Sequence, residues 1–148
     1  MRIIATATTK PTLKMAGDAC WLGSTRTECE MAVKSALIML NVVEMDRAVA
    51  FYRDGLGLGV AMQMPFWSEL TCGAQRIALH PGGDGARRDS GINFAVDDLE
   101  AECARCAAAG GVIEAPPEER PRQKIKIATA RDPEGNVFYL VQELGGWK

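Results

Sequence analysis

An internal repeat constrains the fold of this chain more than any other feature. Two segments, about residues 36–81 and 91–144, each have the pattern of a strand, a helix and three further strands. An offset of 54 residues superimposes the two segments and aligns Met39 with Asn93. A duplicated βαβββ unit predicts that each half forms the same small sheet, with a helix covering one of its faces.

Turn and capping residues indicate where the elements begin and end. Asp46 is predicted to cap a helix over residues 47–54, and a second helix is predicted over residues 98–109. Pro116 and the residue after it, also proline, are predicted to end a short strand at Ala115. The fold class predicted is α+β. Two tandem βαβββ modules would form a curled mixed sheet around a cavity, with the helices on the outside.

The charge balance excludes several classes of partner. The chain has 17 Lys and Arg against 19 Asp and Glu, a net charge of -2. Nucleic-acid and anionic membrane surfaces require a basic excess, so neither is predicted as a partner. No run of about 18 apolar residues is present, which argues against a membrane span. The first residues lack the apolar core of a secretory signal, and we therefore expect a cytoplasmic location.

Residues 1–34 differ in character from the rest of the chain. They are rich in Thr and show no sustained helical or strand period. We interpret them as an N-terminal extension that is ordered only in part. The repeated modules then belong to one domain, residues 35–148.

Cysteine and histidine usage limits the possible chemistry. Five cysteines, an odd number, are typical of a reducing compartment. Cys103 and Cys106 form a C-x-x-C motif, but with Leu99 they lie on one stripe of the second predicted helix. This spacing favours core packing over a redox or zinc site. The single histidine, His80, excludes metal sites that need two histidines.

Three motifs occur in order along the repeat. They are Phe51-Tyr52-x-x-x-Leu56-Gly57, Val96-Asp97-Asp98-Leu99 and Asp132-Pro133-Glu134-Gly135-Asn136. With them, residues 36–144 resemble the vicinal-oxygen-chelate superfamily, which includes glyoxalase I, fosfomycin-resistance proteins, extradiol dioxygenases and bleomycin-resistance proteins. The resemblance implies the paired-module fold, but it leaves the reaction open.

The resemblance also bears on metal binding. In the enzymes of this superfamily, His, Glu or Gln side chains bind the metal from four strand positions. The corresponding residues here are Leu37, Ala78, Gly91 and Tyr139. Three of them have no donor side chain, and a lone tyrosine does not hold a divalent ion. The chain therefore resembles the metal-free, bleomycin-resistance-like branch, and neither a metal nor another cofactor is expected.

Strand alternation assigns side chains to two faces. The residues predicted to face the helices and form the core are Ile38, Leu40, Val42, Leu70, Cys72, Ile77, Leu79, Ile92, Phe94, Val96, Phe138 and Leu140. The opposite face mixes aromatic, apolar and polar groups, as small-molecule pockets do. The predicted ligand-binding residues on it are Met39, Asn41, Trp67, Glu69, Thr71, Arg76, Asn93 and Tyr139.

Specific roles can be assigned within this set. Trp67 and Tyr139 are predicted to be aromatic walls, with Glu69 and Asn93 as polar contacts. Glu69 and His80 are also weak candidates for acid–base catalysis. The alternatives are a Trp67 that only covers the sheet edge, a Glu69 in a solvated ion pair with Arg76, and an exposed His80 without a role.

Two functions remain open at this stage. The first is metal-independent binding of a small hydrophobic or aromatic molecule, such as an antibiotic. The alternative is a glyoxalase-type lyase or isomerase with an unorthodox active site. Each half-sheet exposes a concave face and strand edges that it cannot cover alone, and superfamily members commonly pair their modules. We therefore expect a homodimer with the cavity at or near the interface.

Overall fold

The computed structural model describes residues 33–145 and confirms an α+β fold of two tandem βαβββ modules. The first module comprises β1 (Ile38–Val42), α1 (Met45–Ala50), β2 (Gly59–Met64), β3 (Trp67–Cys72) and β4 (Gln75–Pro81). The second comprises β5 (Arg88–Ala95), α2 (Leu99–Ala108), β6 (Val112–Arg120), β7 (Ile125–Arg131) and β8 (Asn136–Glu143). All but the last two positions of the predicted extension, residues 1–34, lie outside the described residues.

The strands form two four-stranded sheets with the same topology. Sheet 1 has the order β1-β4-β3-β2, and sheet 2 has the order β5-β8-β7-β6. In each, the first strand pairs in parallel with the last, and the other pairs are antiparallel. Met39 pairs with Ala78, and Asn93 pairs with Tyr139, so the repeat extends to the strand register. The strands thus divide between two open sheets, where a single curled sheet was expected.

Each helix packs on one face of its own sheet. Side chains from both modules then form one continuous core, because the turn after α1 also contacts α2. This turn, Phe51–Gly55, is π-helical. Phe51 lies 6.2 Å from Phe138, measured between ring centroids. The backbone at Gly111 packs directly against the Phe51 ring. A glycine is needed there, since a Cβ would lie 2.8 Å from that ring.

The predicted core is largely confirmed. Leu40, Val42, Leu79 and Leu140 are all buried, and so are Cys103 and Cys106, as the core interpretation of the C-x-x-C motif requires. The prediction for Ile38 is wrong, because this residue is 43% exposed. Ile38 begins an edge strand, where nothing from the helix layer covers it.

The Asp132–Asn136 turn joins the two modules. Asp132 Oδ2 accepts a hydrogen bond of 2.6 Å from the Tyr52 hydroxyl. The pKa of Tyr52 is raised well above its usual value, mainly by burial and secondly by the negative charge of Asp132. Glu134 accepts hydrogen bonds from the backbone N–H groups of Val43 and Glu44 at 2.6 and 3.0 Å. Two of the three motifs behind the resemblance therefore bind each other, and their role is structural.

Two predicted boundaries differ from the structure. Helix α1 begins at Met45 with Glu44 in the N-cap position, so the prediction of Asp46 as the cap is wrong. The first intrahelical bond runs from the Ala48 N–H to the Glu44 carbonyl, so Asp46 already lies inside the first turn, and Glu134 accepts hydrogen bonds from Val43 and Glu44 at the entry to the helix. Strand β6 continues past Ala115 to Arg120, because an edge strand with register breaks tolerates proline. None of the described helices is long and apolar enough to cross a membrane.

Candidate functional site

Sheet 1 has one face that its helix does not cover, here called open face 1. The register places Met39, Ala78 and Glu69 side by side across the middle of this face. Asn41 and His80 are paired at one end of it, and Thr71 and Arg76 are paired at the other. Six of the eight predicted ligand-binding residues therefore share one surface: Met39, Asn41, Trp67, Glu69, Thr71 and Arg76.

A polar cluster surrounds Glu69 at the centre of open face 1. The residue is only 9% exposed. Its Oε1 accepts a 3.0 Å hydrogen bond from the Trp67 indole N–H, and its Oε2 is paired with the Arg76 guanidinium. The Trp67 ring meets His80 edge-on, with 6.2 Å between ring centroids. Because both carboxylate oxygens have partners, Glu69 can be buried without an uncompensated charge.

The bulge in β2 adds two residues to open face 1 that sequence alternation did not identify. The register shifts between Val60 and Met62, and this shift pairs Met62 with Glu69. Met64 pairs with Trp67 in the same way. A bulge reverses the parity of the residues beyond it, so counting from the start of the strand assigns them to the wrong face.

The corresponding surface of sheet 2, open face 2, has a different chemistry. Tyr139 occupies the position that Ala78 has in sheet 1, and Thr129 occupies that of Glu69. The Tyr139 hydroxyl donates a 2.5 Å hydrogen bond to Asp89 Oδ2. This bond lowers the pKa of Asp89 and raises that of Tyr139. The fold is duplicated, but the polar cluster around Glu69 is not.

The predicted site residues are thus divided between the two sheets. Asn93 and Tyr139 are register partners on open face 2, and the other six lie on open face 1. Within the described part of the chain, no hydrogen bond or ion pair joins the two sets. Because the helix sides of both sheets meet in one core, the open faces are directed away from that core.

The positions that the resemblance assigns to metal ligands are placed as follows. Leu37 lies just before β1 and is exposed, whereas Ala78 is buried in the middle of β4. Gly91 has a φ of 69° within the irregular part of β5, between Asp89 and Asn93. No group of three or more His, Cys, Asp or Glu side chains in residues 33–145 is arranged to hold a metal ion.

Two clefts are found among the described residues. One, of about 490 Å³, runs between the modules and is lined by Leu58, Cys72, Phe94, Val96, Glu102 and Arg105 among others. The other, of about 630 Å³, is lined by Glu44, Met45, Asp46, Gln63, Met64 and Pro65. Neither is lined by any of the predicted ligand-binding residues, although the second reaches Met64 of open face 1.

Comparison with known proteins identifies the family. The family model for the Glyoxalase/Bleomycin resistance protein/Dioxygenase superfamily matches residues 34–140, more than half of the chain. The chain belongs to this superfamily. A search of curated proteins found no match to this superfamily member.

Solved structures of superfamily members have the same fold. TnmS3, an antibiotic binding protein from Streptomyces sp. CB03234, is 25% identical with a TM-score of 0.57, covering 76% of this chain and 98% of that one. The bleomycin-binding protein of Streptomyces verticillus, complexed with copper(II)-bleomycin, is 20% identical with a TM-score of 0.57, covering 74% and 96%. Lactoylglutathione lyase from Agrobacterium tumefaciens is 21% identical with a TM-score of 0.61, covering 78% and 99%.

Proposed function

We propose that this superfamily member binds a small hydrophobic or aromatic molecule without a metal ion. The observation that carries the proposal is the occupancy of the four ligand positions by Leu37, Ala78, Gly91 and Tyr139. The hydroxyl of Tyr139, the one oxygen donor among them, is already bound to Asp89. Aliphatic and small residues at the other three positions suit an apolar ligand better than a hydrated cation.

Open face 1 supplies the ligand contacts in this proposal. Trp67 is held in place by its hydrogen bond to Glu69, so its ring is fixed before a ligand arrives. Methionines flank it at Met62 and Met64, and their flexible thioethers adapt to irregular ligand shapes. Burying an aromatic ring against such side chains contributes a few kcal/mol at about 25 cal/mol per Å².

A second copy of the chain completes the cavity. Leu37, Ile38 and Met39 at the β1 edge are all substantially exposed, with Met39 at 51%. A contiguous apolar edge of this kind favours burial against another subunit. In a homodimer, open face 1 of one subunit would be covered by its partner, and the ligand would be enclosed between them. Tyr139 and Asn93 then act as contacts on the opposite wall.

Two similar structures support a binding role. TnmS3 is an antibiotic binding protein, and the Streptomyces verticillus protein is a bleomycin-binding protein. An antibiotic or another compound with aromatic rings is therefore the class of ligand that we propose.

The alternative is a lyase or isomerase of glyoxalase type, and its candidate groups are Glu69 and His80. A similar structure from Agrobacterium tumefaciens is described as a lactoylglutathione lyase. A general base must lie within hydrogen-bond reach of the substrate proton that it takes. Glu69 is only 9% exposed, and each of its oxygens already faces a protein partner, Trp67 or Arg76. This arrangement favours a role in binding over one in proton transfer.

The proposal is tested by identifying what the protein carries when it is isolated. Native mass spectrometry of the purified full chain, followed by organic extraction and mass analysis, should reveal a stoichiometric aromatic compound that is released unchanged. The protein should not turn over lactoylglutathione, with or without an added divalent metal ion. Turnover of that substrate, abolished by Glu69→Gln, would replace the binding proposal with the enzyme alternative.

A further inference from the structure

The charged pair on open face 1 is unequal in exposure. The Arg76 side chain is 56% exposed, whereas that of Glu69 is 12% exposed. Both oxygens of Glu69 are engaged, one by Trp67 and the other by Arg76. A molecule approaching this face therefore meets the outer side of the guanidinium before it meets the carboxylate.

Arg76 keeps donors available after it pairs with Glu69. A guanidinium carries five N–H donors in a fixed planar arrangement, and the contact with Glu69 is made through Nη2. In the described part of the chain, Glu69 is its one ion-pair partner. The remaining donors can bind two oxygens of a carboxylate side by side, which lysine cannot do.

We infer that the ligand of open face 1 is a planar aromatic carboxylate, whose ring lies against Trp67 and whose carboxylate is bound by Arg76. This inference rests on the proposed function and adds the chemical class of the ligand. The preference of open face 1 for an anionic ligand follows from the charges on it. Glu69 is the one carboxylate among the described residues of open face 1, and it is already neutralised, so a cationic ligand has no exposed partner there.

The spacing of the two contacts fits such a ligand. Trp67 precedes Glu69 by two residues on β3. Arg76 lies diagonally opposite Glu69 on β4, two residues from Ala78, the register partner of Glu69. Trp67 and Arg76 contact different oxygens of the same Glu69 carboxylate, so the indole ring and the guanidinium converge closely enough for one fused aromatic ring bearing a carboxylate to reach both.

The probes for the test are 2-naphthoate, 2-naphthamide and 2-naphthylmethylammonium, which share a ring and differ in charge. Isothermal titration of the full chain should show naphthoate binding at least about tenfold more tightly than naphthamide, with the cation weakest. Arg76→Gln should abolish the preference for naphthoate, and Arg76→Lys should retain only part of it. The matched control is Arg53→Gln, since Arg53 is also half exposed at 52% and pairs with Asp54 away from this face.

Several results would overturn the inference. Equal affinity for naphthoate and naphthamide would show that Arg76 does not recognise the carboxylate, and tighter binding of the cation would show the opposite charge preference. An unchanged preference in Arg76→Lys would remove the requirement for the planar guanidinium, even if Arg76→Gln failed to fold. Absence of binding by all three probes would also overturn it. The extraction of a co-purified compound then decides the proposed function separately.

Discussion

Replacing Glu134 with glutamine should weaken the connection between the two modules. The Glu134 side chain is fully buried, yet it is ionised and accepts hydrogen bonds from three donors. Two donors are the backbone N–H groups of Val43 and Glu44, and the third is Arg47 Nε at 2.7 Å. Glutamine keeps one carbonyl oxygen but removes the charge and turns an NH₂ group toward these donors.

The cost can be estimated from the three bonds. Hydrogen bonds to a charged group contribute about 1.5–3 kcal/mol each, and neutral ones about 0.5–1.5 kcal/mol. The contribution of Arg47 lies at the low end, because its side chain is 46% exposed. Glu134→Gln should therefore lower the free energy of unfolding by about 2–4 kcal/mol, or the melting temperature by about 5–15 °C.

The pH dependence gives a second, independent signature. Burial by itself raises the pKa of Glu134, but the hydrogen bonds from Arg47, Glu44 and Val43 outweigh it, and the pKa is lowered from 4.5. A carboxylate with a lowered pKa stabilises the folded state above its unfolded pKa, and this contribution is lost as pH falls through the folded value. The stability difference between the natural protein and Glu134→Gln should thus be constant near neutrality and shrink below about pH 4.5.

Urea unfolding from pH 3 to 8 measures both effects. The matched control is Glu44→Gln, which removes an exposed carboxylate that also pairs with Arg47, at 3.6 Å. Its effect should stay below about 1 kcal/mol at every pH. Equal losses for the two variants, or a Glu134→Gln loss that persists unchanged at pH 3, would refute the structural role assigned to this carboxylate.

Three further predictions address the site, the assembly and the core. Trp67→Ala should weaken ligand binding at least about tenfold and cost about 1–3 kcal/mol of stability, because it removes the hydrogen-bond partner of the buried Glu69 Oε1; a stability loss without an affinity loss would give Trp67 a structural role only. Sedimentation should give a mass near twice that of the 16.0 kDa chain, with Met39→Glu shifting it toward one chain; a monomeric natural protein would contradict the proposed dimer. Cys103 and Cys106 should resist thiol reagents in the folded protein at pH 7, because burial raises both pKa values, that of Cys106 to about 12; rapid labelling would disprove their burial.

The repeat and the two faces of the strands could be predicted because they depend on local patterns. Alternation has a period of two, so Leu40 and Val42 were assigned to the core, and Met39 and Asn41 to the opposite face. The same rule failed where the backbone departs from a regular strand. It missed Met62, which lies beyond a bulge, since an extra residue leaves no clear mark on the sequence pattern.

Contacts between distant segments could not be predicted from local patterns. The motif at residues 132–136 was interpreted as a turn, and it is one, but Glu134 also binds the start of α1 across 90 residues of sequence. The capping prediction for Asp46 failed because α1 begins earlier, at Met45, directly after the two residues that Glu134 binds. The cluster of Trp67, Glu69 and Arg76 was predicted as residues of one face, but the burial of Glu69 between its partners depends on the folded sheet.

Ligand binding by this protein should not depend on a metal ion. The most direct test measures the affinity of untagged, full-length protein for its co-purified compound before and after exhaustive chelation, together with elemental analysis. We predict an unchanged dissociation constant and far less than one zinc, nickel, iron or manganese per chain. About one such metal per chain, with binding lost on chelation and restored by the same metal, would contradict the account.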